Sequence, residues 1–158
     1  MERSLFMKIL VMSDTHGDVN LVNEVLLENG DCDLVLHCGD ICVDPSYIYG
    51  NLLIVKGNCD RFSNFPLTRD IEVLGKKIHF EHGHRYGALK YENIEKLGCD
   101  IFLFGHTHCR LADKYKNTYI FNPGSLVRPR DGSKGTYLIL TIDDFTKELS
   151  YEFKEVTL

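Results

Sequence analysis

The chain has 158 residues, of which 44% are hydrophobic and 26% charged, a make-up that suits one globular domain with a sizeable core. A net charge of −5 with no basic stripe argues against a general nucleic-acid or membrane-surface binder. No apolar run approaches the roughly 20 residues of a membrane span, and residues 1–6 are too short for a signal peptide, so the expectation is a cytoplasmic single domain, 1–158, with 1–6 as a short extension.

Lys8 to Met12 is a short apolar run that reads as a buried strand, ending at Asp14-Thr15-His16-Gly17. Asp18 can cap a helix from Val19 to Glu28, whose apolar face is Leu21, Val22, Val25 and Leu26; Asn29-Gly30 ends it. Asp33 to His37 is a second buried strand, ending at Gly39-Asp40, and Pro45 to Tyr49 is a loop or short helix. Asn51 to Lys56 is a third strand, ending at Gly57-Asn58-Cys59-Asp60. This alternation predicts a parallel sheet layered with helices.

The second half is β-rich. Arg69–Leu74 and Lys76–Glu81 bracket Gly75 as a hairpin, followed by His82-Gly83-His84. Ala88 to Leu97 is helical by period, closed by Gly98. Ile101 to Phe104 is a strand ending at Gly105-His106-Thr107-His108, and residues 109–121 read as two strands around Lys116-Asn117. Asn122 to Ser133, with its prolines and glycines, reads as a surface loop. Strands follow at Gly135–Ile142 and Leu149–Phe153. The expected fold is α/β: two mixed β-sheets packed face to face as a sandwich, with helices on the outside and the chemistry gathered at strand ends.

The five polar clusters supply carboxylate, amide and imidazole groups in the quantity that two divalent metals need, and such a pair is a standard device for hydrolysing phosphate esters. Asp14 and His16 stand two apart, as do His106 and His108; on extended backbone both members of each pair face one side. Gly17 and Gly105 let the chain turn and approach closely. Asp40 has two oxygens and can bridge two cations, while Asn58 offers a neutral oxygen. His37 and His79 lie inside strand patterns and read as packed core histidines. The six cysteines form no CxxC pair and read as reduced thiols; Cys38 and Cys42 flank Asp40, but their spacing matches no usual structural-zinc pattern.

The order D-x-H, G-D, G-N-x-D, H-G-H, G-H-x-H resembles the calcineurin-like metallophosphoesterases. Gly57-Asn58-Cys59-Asp60 and Asn122-Pro123-Gly124-Ser125, in so short a chain, point to the small prokaryotic phosphodiesterase branch of YfcE type. The resemblance implies two divalent metal ions, manganese or nickel first, with iron, zinc, cobalt or magnesium compatible. It assigns one to Asp14, His16, Asp40 and His108, and the other to Asp40 as bridge, Asn58, His82 and His106. It also implies a metal-dependent phosphodiesterase, in which a bridging water, ionised near neutrality, attacks phosphorus. Asp40, Asn58, Cys59 and His82 are then the catalytic candidates.

Many members carry histidine where Cys59 stands, which puts proton donation to the leaving group in question; a thiol is a poor substitute for imidazole. Asp60 is expected to orient neighbouring groups rather than bind metal, and Arg61, Arg85, Arg128 and Arg130 are candidates to grip a small phosphodiester. A phosphomonoesterase or nucleotide pyrophosphatase on the same site is an alternative. So is a protein-binding scaffold like Vps29, which shares the fold. A homo-oligomer through a strand edge near the carboxyl end is a further expectation.

Overall fold

The computed structural model describes residues 5–86 and 89–157. Among these residues ten strands and two helices run in chain order: β1 (Phe6–Met12), α1 (Val19–Glu28), β2 (Leu34–His37), β3 (Leu53–Ile54), β4 (Thr68–Val73), β5 (Lys76–Glu81), α2 (Tyr91–Glu95), β6 (Ile101–Leu103), β7 (Arg110–Tyr115), β8 (Thr118–Pro123), β9 (Thr136–Asp143) and β10 (Leu149–Glu155). A single 3₁₀ turn, Pro45–Tyr47, follows β2.

The strands form two five-stranded mixed sheets, ordered β10-β9-β1-β2-β3 and β4-β5-β6-β8-β7. In the first, β1, β2 and β3 run parallel and β9 joins β1 antiparallel. In the second, β5, β6 and β8 run parallel, with antiparallel β4 and β7 outside them.

Because successive strand residues point to opposite faces, β1 divides its side chains. Ile9 and Val11 join Leu36, Ile78, Phe80, Leu103, Phe121 and Leu138 between the sheets. Leu10 and Met12 face the other way and pack with Leu21, Val22 and Val25 of α1. The second sheet does the same, placing Phe102 and Ile120 against Ile94 of α2. Both central strands are therefore apolar on both faces, and the layers stack helix, sheet, sheet, helix, as the sequence predicts.

Some boundaries differ. Phe6, assigned to the extension, already pairs with Asp143 in the sheet. The third strand keeps only Leu53 and Ile54, although Val55 still donates to the His37 carbonyl at 3.1 Å. The second helix is five residues, Tyr91–Glu95, without a side-chain cap, and then tightens through Leu97 and Gly98, which donate to Ile94 and Glu95. Ala88, its expected start, lies outside the described residues.

Candidate metal centre

All six parallel strands point their carboxyl ends the same way. Those ends carry Asp14 after β1, Asp40 after β2, Asn58 and Cys59 after β3, His82 after β5, His106 and His108 after β6, and Asn122 to Ser125 at the end of β8. The loops after β1 and β2 are laced together: Asp14, His16 and Gly17 donate their backbone N–H groups to the carbonyls of Gly39, Asp40 and Ile41 at 3.0, 3.0 and 2.8 Å. Glycine permits two close approaches here. A Cβ on Gly57 would overlap Asp40 Oδ1 and the Asp40 backbone nitrogen, and one on Gly105 would overlap Ser13 Oγ.

The extended-chain argument for Asp14/His16 and His106/His108 does not describe the geometry. All four residues have positive φ, of 54°, 44°, 70° and 60°, as do Asp40 and Cys42. This left-handed region is uncommon for residues with a Cβ, Asp and His being among the better tolerated. The turn itself, rather than strand alternation, aims these side chains inward.

They converge on two buried carboxylates. Asp14 Oδ1 lies 3.2 Å from His108 Nε2, 3.7 Å from His82 Nε2 and 4.0 Å from His16 Nε2. Asp40 Oδ2 lies 3.2 Å from His82 Nε2 and 3.9 Å from His16 Nε2. His82 Nε2 is 3.1 Å from the Asn58 side-chain oxygen. Asp14, His16 and His108 form one group of donors within 4.8 Å of one another, and Asp14, Asp40 and His82 a second. His106 stands further out: its exposed ring meets the edge of His82, with centroids 5.2 Å apart.

The surrounding hydrogen bonds fix which atoms face inward. His82 Nδ1 donates to the Cys38 carbonyl at 2.8 Å and His108 Nδ1 to the Arg128 carbonyl at 2.7 Å, leaving both Nε2 atoms toward the carboxylates. Such an outer partner is what orients a metal-binding imidazole. Asp14 Oδ2 accepts from Ser13 Oγ at 2.6 Å and from the His106 N–H at 3.0 Å. Asp40 Oδ1 accepts from the Cys59 N–H at 2.9 Å. Asp60 accepts from the backbone of Asp40, Gly57 and Cys42, at 2.8, 2.8 and 2.9 Å, so it organises the loops as expected.

Burial opposes charge on Asp14, but His108, His82 and the Ser13 hydroxyl outweigh it and hold the carboxyl below its ordinary range. Asp40 is likewise opposed by burial, yet His82 and the Cys59 N–H bring it down to about 2. Burial works against a proton on His82, while Asp40 and Asp14 raise its pKa; the neighbouring Asp14 carboxylate raises His108. Both carboxylates are thus anionic and call for positive charge.

Divalent cations fit this demand. Asp14 Oδ1 is buried and receives no well-formed hydrogen bond, although buried polar atoms are nearly always satisfied. The Nε2 atoms of His16, His82 and His108 surround it at 3.2–4.0 Å. That donor set of imidazole, carboxylate and amide suits first-row divalent metals.

Other sequence candidates fall into place. His37 is buried and neutral, its pKa brought down to about 4 by burial; Thr15 Oγ1 lies 2.9 Å from its Nε2, and its Nδ1 accepts from the Gly39 N–H at 3.1 Å. His79 is buried between Asp70 and Glu81, at 2.8 and 2.6 Å. Arg61, Arg128 and Arg130 are exposed, and Arg85 lies 3.7 Å from Glu81. Cys59 is exposed at the rim and opens onto a cleft of about 540 Å³ lined by Cys42, Pro45, Arg61, Phe62 and Phe65 among others.

Asn122 to Leu126, expected on the surface, are buried. Asn122 Nδ2 donates to the Gly105 carbonyl and to Thr107 Oγ1, both at 3.0 Å, and Ser125 Oγ donates to the Asp14 carbonyl at 2.8 Å. The apolar run Tyr119–Phe121 just before Asn122 is the signal that a strand end, like the other five, was arriving.

Comparison with known proteins agrees with this architecture. Residues 7–145 match the calcineurin-like phosphoesterase superfamily domain. The chain is 31% identical over 145 residues to "Probable metallophosphoesterase YsnB" of Bacillus subtilis, covering 87% of this chain and 86% of that protein. It is 27% identical over 167 residues to "Phosphodiesterase YfcE" of Escherichia coli K12, covering 87% and 89%. A solved structure from Streptococcus pneumoniae TIGR4, described as a predicted phosphoesterase, superposes with a TM-score of 0.85 at 30% identity, covering 98% and 95%. With the family's motifs at six aligned strand ends and its domain spanning most of the sequence, the chain belongs to the calcineurin-like phosphoesterase superfamily, a family of metal-dependent hydrolases.

Proposed function

We propose that the protein hydrolyses phosphodiester bonds at this centre, with Asp14, His16, Asp40 and His108 holding one divalent cation and Asp40, Asn58, His82 and His106 the other. The observation that carries the reading is Asp14 Oδ1, a buried anionic oxygen without a donor, ringed by His16, His82 and His108. Bound cations supply an ionised water near neutrality and neutralise the phosphoryl oxygens. The chain's own residues do the rest. Ser13 and the His106 N–H hold Asp14 in place, and Asp60 locks the Asp40 and Asn58 loops through three backbone bonds. His82 and His108, oriented by the carbonyls of Cys38 and Arg128, keep their Nε2 atoms inward. Cys59 and Arg61, on the rim, meet the leaving group and the second phosphate substituent.

The name of the Escherichia coli relative supports a diester substrate over a monoester. The open rim supports the same choice, because Asn58, Cys59 and His106 are exposed. Manganese or nickel is the proposed cation, matched by carboxylate and imidazole ligands. Six free cysteines suit a reducing, cytoplasmic setting.

The test is hydrolysis of bis-p-nitrophenyl phosphate by metal-stripped protein. Mn²⁺, Ni²⁺, Mg²⁺ and Zn²⁺ are titrated separately, with p-nitrophenyl phosphate alongside. Metal-dependent cleavage of the diester over the monoester is expected, and Asp40→Asn should abolish it while lowering bound metal. A monoester preference would move the assignment to a phosphomonoesterase. Folded, metal-loaded protein that turns over neither would sink the enzymatic reading in favour of a binding scaffold.

A further inference from the structure

Two thiols stand at the rim of the centre. Cys42 follows β2 and Cys59 follows β3, and both are exposed. Their sulfurs lie with a ring nitrogen of His16 in one group, all within 4.8 Å of one another. Cys42 Sγ is 3.7 Å from His16 Nδ1, on the opposite edge of the ring from the Nε2 that faces Asp14 and Asp40. His82 and His108 each give their Nδ1 a backbone carbonyl, whereas His16 has a thiol there. Cys42 is fixed in the left-handed region, φ 57°, with its N–H bonded to Asp60 Oδ1. Cys38, the other cysteine beside Asp40, is wholly buried in the core and takes no part.

We propose that His16 Nδ1, Cys42 and Cys59 form a separate cation site at the rim, selective for a borderline-soft divalent ion such as zinc or cadmium, and that filling it inhibits the hydrolytic centre. One imidazole and two thiolates are the donors such ions prefer over carboxylate and amide. Zinc–sulfur bonds of about 2.3 Å place two tetrahedral sulfur ligands roughly 3.8 Å apart. The observed grouping needs about an ångström of closure by exposed side chains that are free to rotate. The fourth position opens to the cleft and can hold water. On binding, the two thiols release their protons and the ion holds them as thiolates.

Inhibition follows from the chemistry of one ring. A neutral imidazole has one lone pair and one N–H. Ligation through Nδ1 leaves the proton on Nε2, so the nitrogen facing Asp14 and Asp40 becomes a donor N–H and is lost as a ligand there. His16 can serve the inner centre or the rim, not both. This inhibitory clause rests on the proposed hydrolytic reading; the thiolate site itself does not.

The experiment titrates the full-length reduced protein with Cd²⁺ and follows the sulfur-to-cadmium charge-transfer absorption in the ultraviolet. A band saturating near about one equivalent is expected, and Cys42→Ser should remove it while circular dichroism stays unchanged. Cys59→Ser should weaken it as well. Excess Zn²⁺ should inhibit the Mn²⁺-activated wild type, with at least about tenfold more needed for Cys42→Ser. A missing band, or one of equal strength in Cys42→Ser, overturns the thiolate site whether or not any diester is cleaved. A band lost in Cys42→Ser with zinc inhibition unaltered overturns the competition for His16.

Discussion

Asn122 shows how one residue can matter without touching substrate. It is wholly buried and makes three bonds: Nδ2 to the Gly105 carbonyl and to Thr107 Oγ1, and Oδ1 from the Gly124 N–H at 2.9 Å. It thereby ties the end of β8 to the turn that carries His106 and His108. Asn122→Ala should cost about 1–3 kcal/mol, because the Gly124 N–H is left without a partner in the interior and the Gly105 carbonyl keeps only the Thr107 N–H. Metal affinity should fall with it; calorimetric titration with Mn²⁺ would measure that, and an unchanged affinity would remove Asn122 from the support of the centre. The gathering of Asp14, Asp40, His82, His106 and His108 at strand ends was legible in the sequence because each follows an apolar run. Their backbone conformation was not legible. Positive φ at His16 or His108 is imposed by the bonded loops around it, and no local residue pattern announces it.

Among elements, the β3 loop and the β4–β5 hairpin make the sharpest demands. Gly57 sits where the β3 end crosses Asp40, so Gly57→Ala drives a methyl into that carboxylate and its backbone. The expected result is a folded protein whose metal affinity drops at least about tenfold; circular dichroism and metal content after dialysis would show it, and retained metal would mean the crossing relaxes. In the hairpin, burial opposes charge on His79, but Glu81 and Asp70 together raise its pKa above 6.5. Its ring also stacks on Phe102, centroids 5.4 Å apart. A raised folded pKa gives stability that is fully present below about 6.5 and lost as pH climbs through the folded value. The urea midpoint difference between wild type and His79→Gln should therefore be largest in acid and shrink in alkali; a gap independent of pH would show that His79 is not charged. Strand and helix order were readable from apolar periodicity. The second helix was over-read because Leu97 and Gly98 prolong the pattern after the hydrogen bonds have tightened, and Asn122–Leu126 was misread because Pro123 and Gly124 serve a buried crossing rather than a surface turn, whereas Arg128, Arg130 and Gly132 are exposed as a surface loop requires.

Across the whole molecule, one core joins the sheets, with Ile9, Leu36 and Leu138 from the first meeting Phe80, Leu103 and Phe121 from the second. Neither sheet buries its inner face without the other, so the protein should unfold in one transition. Phe80→Ala, at a site with no exposure, should cost about 3–5 kcal/mol. With no tryptophan in the chain, far-ultraviolet dichroism and tyrosine emission would follow it, and separate midpoints for the two signals would refute a common core. The face-to-face arrangement was legible from apolar strands interrupted by only two helical patterns; which strands share a sheet was not, since β9 returns to pair with β1 from the far end of the chain. The six left-handed residues at the centre, Asp14, His16, Asp40, Cys42, His106 and His108, carry a cost in stability as well. Each costs on the order of 1 kcal/mol that glycine at the same place would not. Glycine at any of them would relieve that strain and lose the side chain, so at these positions the stability of the fold and the geometry of the proposed centre are set against each other.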